Sequence, residues 1–396
     1  MESSVPKVAI ACQGGGTHGA FEVGVLTEIL KDMQERKRFD LIGLSGTSAG
    51  ALCAMMVWYG LAPKKGRQGS GSAAEAIEQI NTFWDGFSAN TSAEIMHNAF
   101  WGAMLSAQEQ ELPLLGIGMP TIGFNPYGVL DEAVLWQLRQ LGAREEYYDF
   151  DAMLRAACPE FDDILWPEVH TRLLLGASEI VNGVETVFDS TYFPSKDDGN
   201  GMPIDPTVAH RWRARQPLSL AGAAASGTLP SIREAEQING GYYWDGLYSQ
   251  NPPIREFLAG VPKENVPDEI WVLRINPQQR LNMKPPQSTV EIRDRENELM
   301  GNLSLNKELD FILVVNDMIS RCGDKLAEEY KPVTVRTIKM MKQTATRLRV
   351  SSKFDRSRGF INELREEGRR VAVEWLHLWP NDDASFRYPD DAAYDA

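Results

Sequence analysis

Three short stretches of the sequence carry residue types that do covalent chemistry when correctly placed. Residues 46–50 read Gly46-Thr47-Ser48-Ala49-Gly50, a G-x-S-x-G pattern. A serine on a sharp strand-to-helix turn holds its hydroxyl out at the end of a sheet, and small neighbours let the backbone turn without collision. Residues 13–24 read QGGGTHGAFEVG, in which Gly14, Gly16 and Gly19 satisfy G-x-G-x-x-G. Free amides at a helix start hold an anion, whether a pyrophosphate or the oxyanion of a tetrahedral intermediate. The third stretch is Asp245-Gly246, which closes the aromatic run Tyr242-Tyr243-Trp244. Taken singly, Ser48 also reads as a helix N-cap and Asp245 as an Asp-Gly turn residue.

The glycine run separates the readings. A dinucleotide site wants an acidic residue at the end of the second strand, for the ribose. Asp40 has the right separation, but it opens the stretch Leu41-Ile42-Gly43-Leu44-Ser45, and the end of that stretch holds Ser48. A P-loop wants Gly-Lys-Ser/Thr, which does not follow. An oxyanion hole built from the amides of Gly14, Gly15 and Gly16 fits better, because the first two strand–helix turns of a parallel sheet open on the same edge. The serine then needs a base. Of His18, His97, His170, His210 and His377, only His18 abuts the loop, as a candidate base, cap or substrate contact. Asp245 is the other candidate. A carboxylate base needs a dry site that raises its pKa toward neutrality, and its aromatic neighbours supply one.

These residues need a frame. Residues 7–13 read as a buried strand, 17–37 as an amphipathic helix, 39–46 as a second buried strand and 47–60 as an apolar, buried helix. This β-α-β-α start predicts an α/β fold with a mainly parallel sheet between helices. Residues 62–75 read as a surface loop, 129–141 as a helix, 172–180 and 185–190 as a hairpin, 217–230 as a small-residue helix, 240–253 as a strand running into a loop, and 269–277 as a buried strand. Residues 288–349 read as mainly helical and 352–378 as a final amphipathic helix, and the acidic tail beyond it is expected to be disordered. No internal repeat is visible.

Composition narrows the class. The chain has 396 residues, 43% hydrophobic and 24% charged, with a net charge of -15 and a pI near 4.9. That is ordinary globular make-up, and its acidity argues against nucleic-acid partners and against long-range attraction to an anionic bilayer. The four cysteines, Cys12, Cys53, Cys158 and Cys322, are widely spaced, which predicts buried free thiols and neither a zinc site nor a disulfide framework. The N-terminal residues lack a signal-peptide pattern and the longest near-apolar run, 51–62, is too short to span a bilayer, so the expectation is a cytoplasmic protein with, at most, peripheral membrane contact.

The glycine run, the Gly-Thr-Ser-Ala-Gly turn and the late Asp-Gly together resemble the patatin-like phospholipases, and the resemblance extends through residues 172–188 and 222–232 to cover about 7–255. It implies a three-layer patatin-like fold, with Ser48 as nucleophile, Asp245 as base in a Ser–Asp dyad, and Gly14, Gly15 and Gly16 as the oxyanion hole. The implied activity is hydrolysis of lipid acyl esters through an acyl-serine, with no cofactor and no metal. Residues 1–277 would form the catalytic domain, 278–380 a helical extension similar to one in a bacterial subgroup, and 381–396 the tail. Residues 82–128, rich in residues such as Phe83, Trp84, Phe87, Met96, Phe100 and Trp101, read either as a lid or acyl-binding wall or as an ordinary helical subdomain. Two positions depart from the family pattern: His18 stands where an Arg or Lys is usual, and Leu247 follows Gly246. The competing functions are an esterase or thioesterase for small acyl substrates, a dinucleotide-binding enzyme, and a silent scaffold.

Overall fold

The computed structural model describes residues 5–109, 132–193, 213–230, 233–277, 285–286, 289–322 and 324–380. Strand β1 (Lys7–Cys12) leads through a 3-10 turn at Gly16–Gly19 into α1 (Ala20–Arg36), and β2 (Asp40–Gly46) leads directly into α2 (Ala49–Leu61). Helices α3 (Ala73–Phe87) and α4 (Ser92–Glu109) follow, then α5 (Glu132–Gln140), α6 (Glu145–Tyr148) and α7 (Phe150–Ala157). The hairpin β3 (Arg172–Glu179) and β4 (Val184–Asp189), β5 (Arg213–Pro217), α8 (Leu220–Ser226), β6 (Glu236–Ile238) and β7 (Gly241–Asp245) come next. The rest comprises β8 (Glu269–Arg274), α9 (Thr289–Cys322), α10 (Asp324–Glu329), β9 (Thr334–Lys339), α11 (Lys342–Arg347) and α12 (Arg358–Leu378).

The strands form one open sheet in the order β5-β4-β3-β2-β1-β8-β9, with β7 paired to β3 and β6 to β7. Five neighbouring pairs are parallel, and the antiparallel ones all involve β3 or β7. Both faces of the sheet are covered, which is why β1 and β8 read as continuous apolar runs instead of alternating ones. Within β1, Val8, Ile10 and Cys12 enter the core beneath α1, α2 and α12, while Ala9 and Ala11 face a second core with Leu305 and Ile312 of α9. This is the expected three-layer, mainly parallel α/β architecture with a helical C-terminal region.

Several expectations need correction. Residues 288–349 are mainly helical, as expected, but they also hold an unforeseen strand: β9 runs parallel beside β8, in register from Glu269↔Thr334 to Arg274↔Lys339. The alternation of Thr334-Val335-Arg336-Thr337-Ile338 suits a strand, but only the open edge of β8 makes it one. The sheet therefore continues past the expected boundary at 277. Residues 352–378 are not a single helix, since a 3-10 turn at Ser351–Phe354 precedes α12. Cys12, Cys53 and Cys158 are buried but Cys322, at the end of α9, is exposed. Part of the 82–128 segment (110–128) and the whole tail 381–396 lie outside the described residues.

Helix α12 packs closely across α1. A Cβ on Gly24 would sit 2.0 Å from the Arg365 carbonyl oxygen, and one on Gly368 would sit 2.0 Å from that of Phe21. Only glycine permits this backbone approach. It ties the C-terminal region to the helix that starts at the glycine loop.

Candidate active site

Strand register brings the three sequence motifs together. Cys12 pairs with Gly46 across the β1–β2 ladder, so Gly14 and Ser48, each two residues further on, leave the sheet side by side. A Cβ on Gly14 would meet the Thr47 carbonyl oxygen at 2.6 Å and Ser48 Cβ at 2.8 Å. Strand β3 carries the third motif to the same place. Its Leu175 pairs with Gly46, and its Ala177, two residues along, pairs with Asp245 of β7.

Ser48 sits at the tip of the turn between β2 and α2 with φ 57 and ψ -129, in the positive-φ region. That backbone strain costs about 1–3 kcal/mol and persists only where the surroundings enforce it. They do so here. A Cβ on Gly46 would lie 2.3 Å from the Gly50 carbonyl oxygen, and one on Gly50 would lie 2.2 Å from that of Cys12. The Ser48 amide donates to the Ser226 carbonyl at 2.9 Å and to its hydroxyl at 3.2 Å. The Ser226 hydroxyl in turn donates to Gly176 O at 2.6 Å. Thr47 donates its hydroxyl to the Gln250 carbonyl at 2.8 Å. Ser48 stands at the N-cap position of α2, but its side chain makes no capping bond, and part of its surface is open.

Asp245 is wholly buried. Its Oδ1 accepts from the Leu247 amide at 2.8 Å, so the turn role foreseen for an Asp-Gly pair is also present. Its Oδ2 has no hydrogen-bond partner of standard geometry among the described residues. Burial raises its pKa to about 7, opposed by the Leu247 amide, the Ser48 hydroxyl and the charge of Lys353. A carboxyl half-ionised near neutrality beside a serine hydroxyl has the properties of a general base.

The three glycines differ. The Gly14 amide is already committed, donating to Asn251 Oδ1 at 2.6 Å. Its expected place as a hole donor is therefore corrected: its lack of a side chain makes room for Ser48. Gly15 caps the 3-10 helix and Gly16 is its first residue, positions where N–H groups have no intrahelical partner, and their amides make no hydrogen bond among the described residues. Gly16, at φ +60, lines the same cleft as Ser48. His18 does not face the serine. It is buried, its Nε2 lies 2.8 Å from the Ser352 hydroxyl, and burial with the nearby Lys353 charge holds its pKa well below the usual value. Among the other histidines, His97 is in the cleft wall, and His170 pairs with Asp40 at 2.7 Å. His377 is exposed on α12, and His210 lies outside the described residues. Asp40 is the first residue of β2, at the opposite end of the strand from Ser48, as the argument against a dinucleotide site required.

Several site residues went unnoticed in the sequence. Behind the glycine loop lies a layer of buried amides. Gln13 Oε1 accepts from the Ile275 and Asn276 amides, each at 3.1 Å, and its Nε2 donates to Asn302 at 3.0 Å. Asn276 Nδ2 donates to the Gly14 carbonyl at 2.9 Å. These asparagines carry no local pattern, so the sequence held no signal for them.

Ser48 opens into a cleft of about 320 Å³. Trp84 and Phe87 of α3, Trp101 of α4, and Phe150 and Met153 of α7 form much of its wall. The 82–128 segment thus divides: these aromatics face the cleft and Phe83 the core, while Ile95, Met96 and Phe100 of α4 are exposed. No described helix is long and apolar enough to cross a membrane.

Residues 10–258 match the family model for patatin-like phospholipase. Among solved structures, the chain is similar to VipD from Legionella pneumophila, at 13% identity and a TM-score of 0.37, over 94% of this chain and 67% of that one. It is also similar to the ExoU–SpcU complex from the type III secretion system of Pseudomonas aeruginosa, at 12% identity and a TM-score of 0.24, over 96% of this chain and 56% of that one. No curated protein sequence matches the chain.

Proposed function

Because the chain belongs to the patatin-like phospholipase family, a family of lipid acyl hydrolases, we propose that it cleaves acyl esters of phospholipids or related lipids with a Ser48–Asp245 dyad. The observation that carries this reading is the strained, accessible Ser48 beside a buried Asp245 whose pKa is raised to about 7.

Asp245 accepts the proton of Ser48 Oγ as that oxygen attacks the ester carbonyl carbon. The negative charge that gathers on the carbonyl oxygen is met by the Gly15 and Gly16 amides, at the site where a preorganised donor is worth about 3–4 kcal/mol of barrier. The C–O bond to the alcohol breaks, the departing alkoxide takes the proton from Asp245, and an acyl-serine remains. A water then gives a proton to Asp245 and attacks the acyl carbon. Ser48 Oγ leaves with the proton returned, releasing the fatty acid. The aromatic wall of Trp84, Phe87 and Trp101 supports an acyl chain as the group that fills the cleft. The exposed Ile95, Met96 and Phe100 suit shallow contact with a lipid surface.

The test is labelling by a fluorophosphonate, mapped by peptide analysis, alongside hydrolysis of p-nitrophenyl esters and a panel of phospholipids, lysophospholipids, acylglycerols and acyl thioesters. One labelled serine, Ser48, and fatty-acid release from a lipid are expected. Labelling elsewhere, or none, would end the dyad reading, and turnover of thioesters alone would replace the substrate class.

A further inference from the structure

We propose, on the basis of the hydrolase reading above, that Lys353 is a positioning residue of the site: the C-terminal region delivers its ammonium group behind the glycine loop, where it holds that loop through Asn276 and favours the anions formed at Asp245 and at the substrate carbonyl.

Four observations converge on this residue. Lys353 lies in the 3-10 turn Ser351–Phe354, more than three hundred residues from the loop in the chain, yet it lines the same cleft as Ser48 and Gly16. Contact with the loop is tight: a Cβ on Gly16 would lie 2.5 Å from the Lys353 carbonyl oxygen and 3.0 Å from its Cβ. Nζ donates to Asn276 Oδ1 at 3.1 Å and to Asn297 of α9. Asn276 passes the constraint on, since its Nδ2 donates to the Gly14 carbonyl. Finally, the Lys353 charge acts on Asp245, drawing its pKa down against the effect of burial.

The surrounding charges show why an ammonium is stable there. Asp294 and Glu298 of α9 and Asp245 of β7 all favour it, while burial opposes it and brings its pKa to about 8. Asp294 and Glu298 already have cationic partners, Arg349 at 3.3 Å and Arg295 at 3.1 Å, so neither depends on Lys353 for neutralisation. His18, the ionisable side chain of the loop, is held neutral by burial and by Lys353 itself. Tyr248, which follows Asp245, has its pKa raised by burial and by that carboxylate and stays uncharged. Between them these groups leave Lys353 as a cation whose field reaches both the base and the glycine loop. The turn that carries it is anchored, because Asn98 of α4 donates to Asp355 at 3.0 Å and accepts from the Arg356 amide at 2.8 Å.

The experiment compares the full chain with Lys353→Met and Lys353→Arg, measuring kcat, KM and their pH profiles on a soluble p-nitrophenyl ester, with thermal melting as the control of folding. In Lys353→Met, kcat should fall about 10- to 100-fold with little change in KM, as for loss of preorganised charge at a site. The acid limb of its profile should move to higher pH, because Asp245 loses a nearby cation. Lys353→Arg should keep most of kcat and push the alkaline limb, set in the wild type by Lys353, to higher pH. If Lys353→Met fails to melt cooperatively, Lys353→Gln, which keeps an N–H donor without the charge, serves in its place. A Lys353→Met (or Gln) enzyme with wild-type kcat and an unmoved acid limb would overturn the proposal while leaving the hydrolase reading standing. A wild type that neither turns over the ester nor accepts a fluorophosphonate would overturn both.

Discussion

Asp245 at the end of β7 and His18 in the 3-10 turn after β1 are both buried titratable side chains, and burial moves them in opposite directions. It raises the carboxyl to about 7 and drives the imidazole well below its usual value. The reason is common to both: a dry environment disfavours whichever form is charged. Their remaining valences separate them further. Asp245 keeps one oxygen without a partner of standard geometry beside Ser48, while His18 spends Nε2 on Ser352. Intrinsic basicity would have chosen the histidine. Position favours the aspartate as the proposed base.

Removing the proposed nucleophile should break this arrangement most completely. Ser48→Ala is expected to lower kcat on a p-nitrophenyl ester by at least about 10⁴-fold, with melting nearly unchanged, because alanine keeps the Cβ that strains the positive-φ backbone. Asp245→Asn should lower kcat by about 10³- to 10⁴-fold, the upper range for loss of a general base. The same variant sharpens the comparison through stability. A carboxyl whose folded pKa lies above its unfolded value binds a proton more tightly when folded, so the wild type loses stability as pH rises from about 4 to about 7. Asp245→Asn should therefore melt above the wild type at pH 8, with the gap closing toward pH 4. A wild type that melts higher at pH 8 would contradict the buried, raised carboxyl.

Gly16→Ala comes next. Its positive φ and the Lys353 carbonyl 2.5 Å from any Cβ force the loop to shift, and a misplaced hole donor costs about 10²- to 10³-fold in kcat. A change below about threefold would remove Gly16 from the hole. The wild-type profile of log kcat/KM should rise with unit slope up to about pH 7, the titration of Asp245 in the free enzyme, and turn down above about pH 8 as Lys353 loses its proton. His18→Gln should have the smallest effect on activity, within about threefold at pH 8 and with the acid limb unmoved. Its mark is on stability instead. A histidine with a lowered folded pKa loses stabilisation as pH falls through its unfolded value near 6.5, so the variant should be less acid-sensitive in melting. A lost or displaced acid limb in His18→Gln would transfer the role of base to the histidine.

Legibility in the sequence follows from how local each feature is. The Ser48 turn was readable because strand, small residues and helix follow one another directly in the chain, and sterics at Gly46 and Gly50 leave little choice of residue. The glycine loop was readable for the same reason, although its pattern also fits a dinucleotide loop. What excluded that reading was Asp40, at the wrong end of β2. Asp245 was readable only as a candidate, since its approach to Ser48 depends on β3 pairing with β2 by one part of its length and with β7 by another. β9 was missed because its six residues become a strand only against the edge of β8.

The sequence by itself therefore determined the chemistry available: a serine on an enforced turn, amides at a helix start, and a carboxylate in aromatic company. Those are properties of short stretches, set by backbone sterics and side-chain type. Only the tertiary structure decided which groups meet. It committed the Gly14 amide to Asn251, turned His18 away toward Ser352 and brought Lys353 to the loop through the packing of the C-terminal region. Contacts between residues hundreds of positions apart leave no local periodicity or spacing, because they arise from the sheet order and the close crossing of α1 and α12, which exist only once the chain has folded.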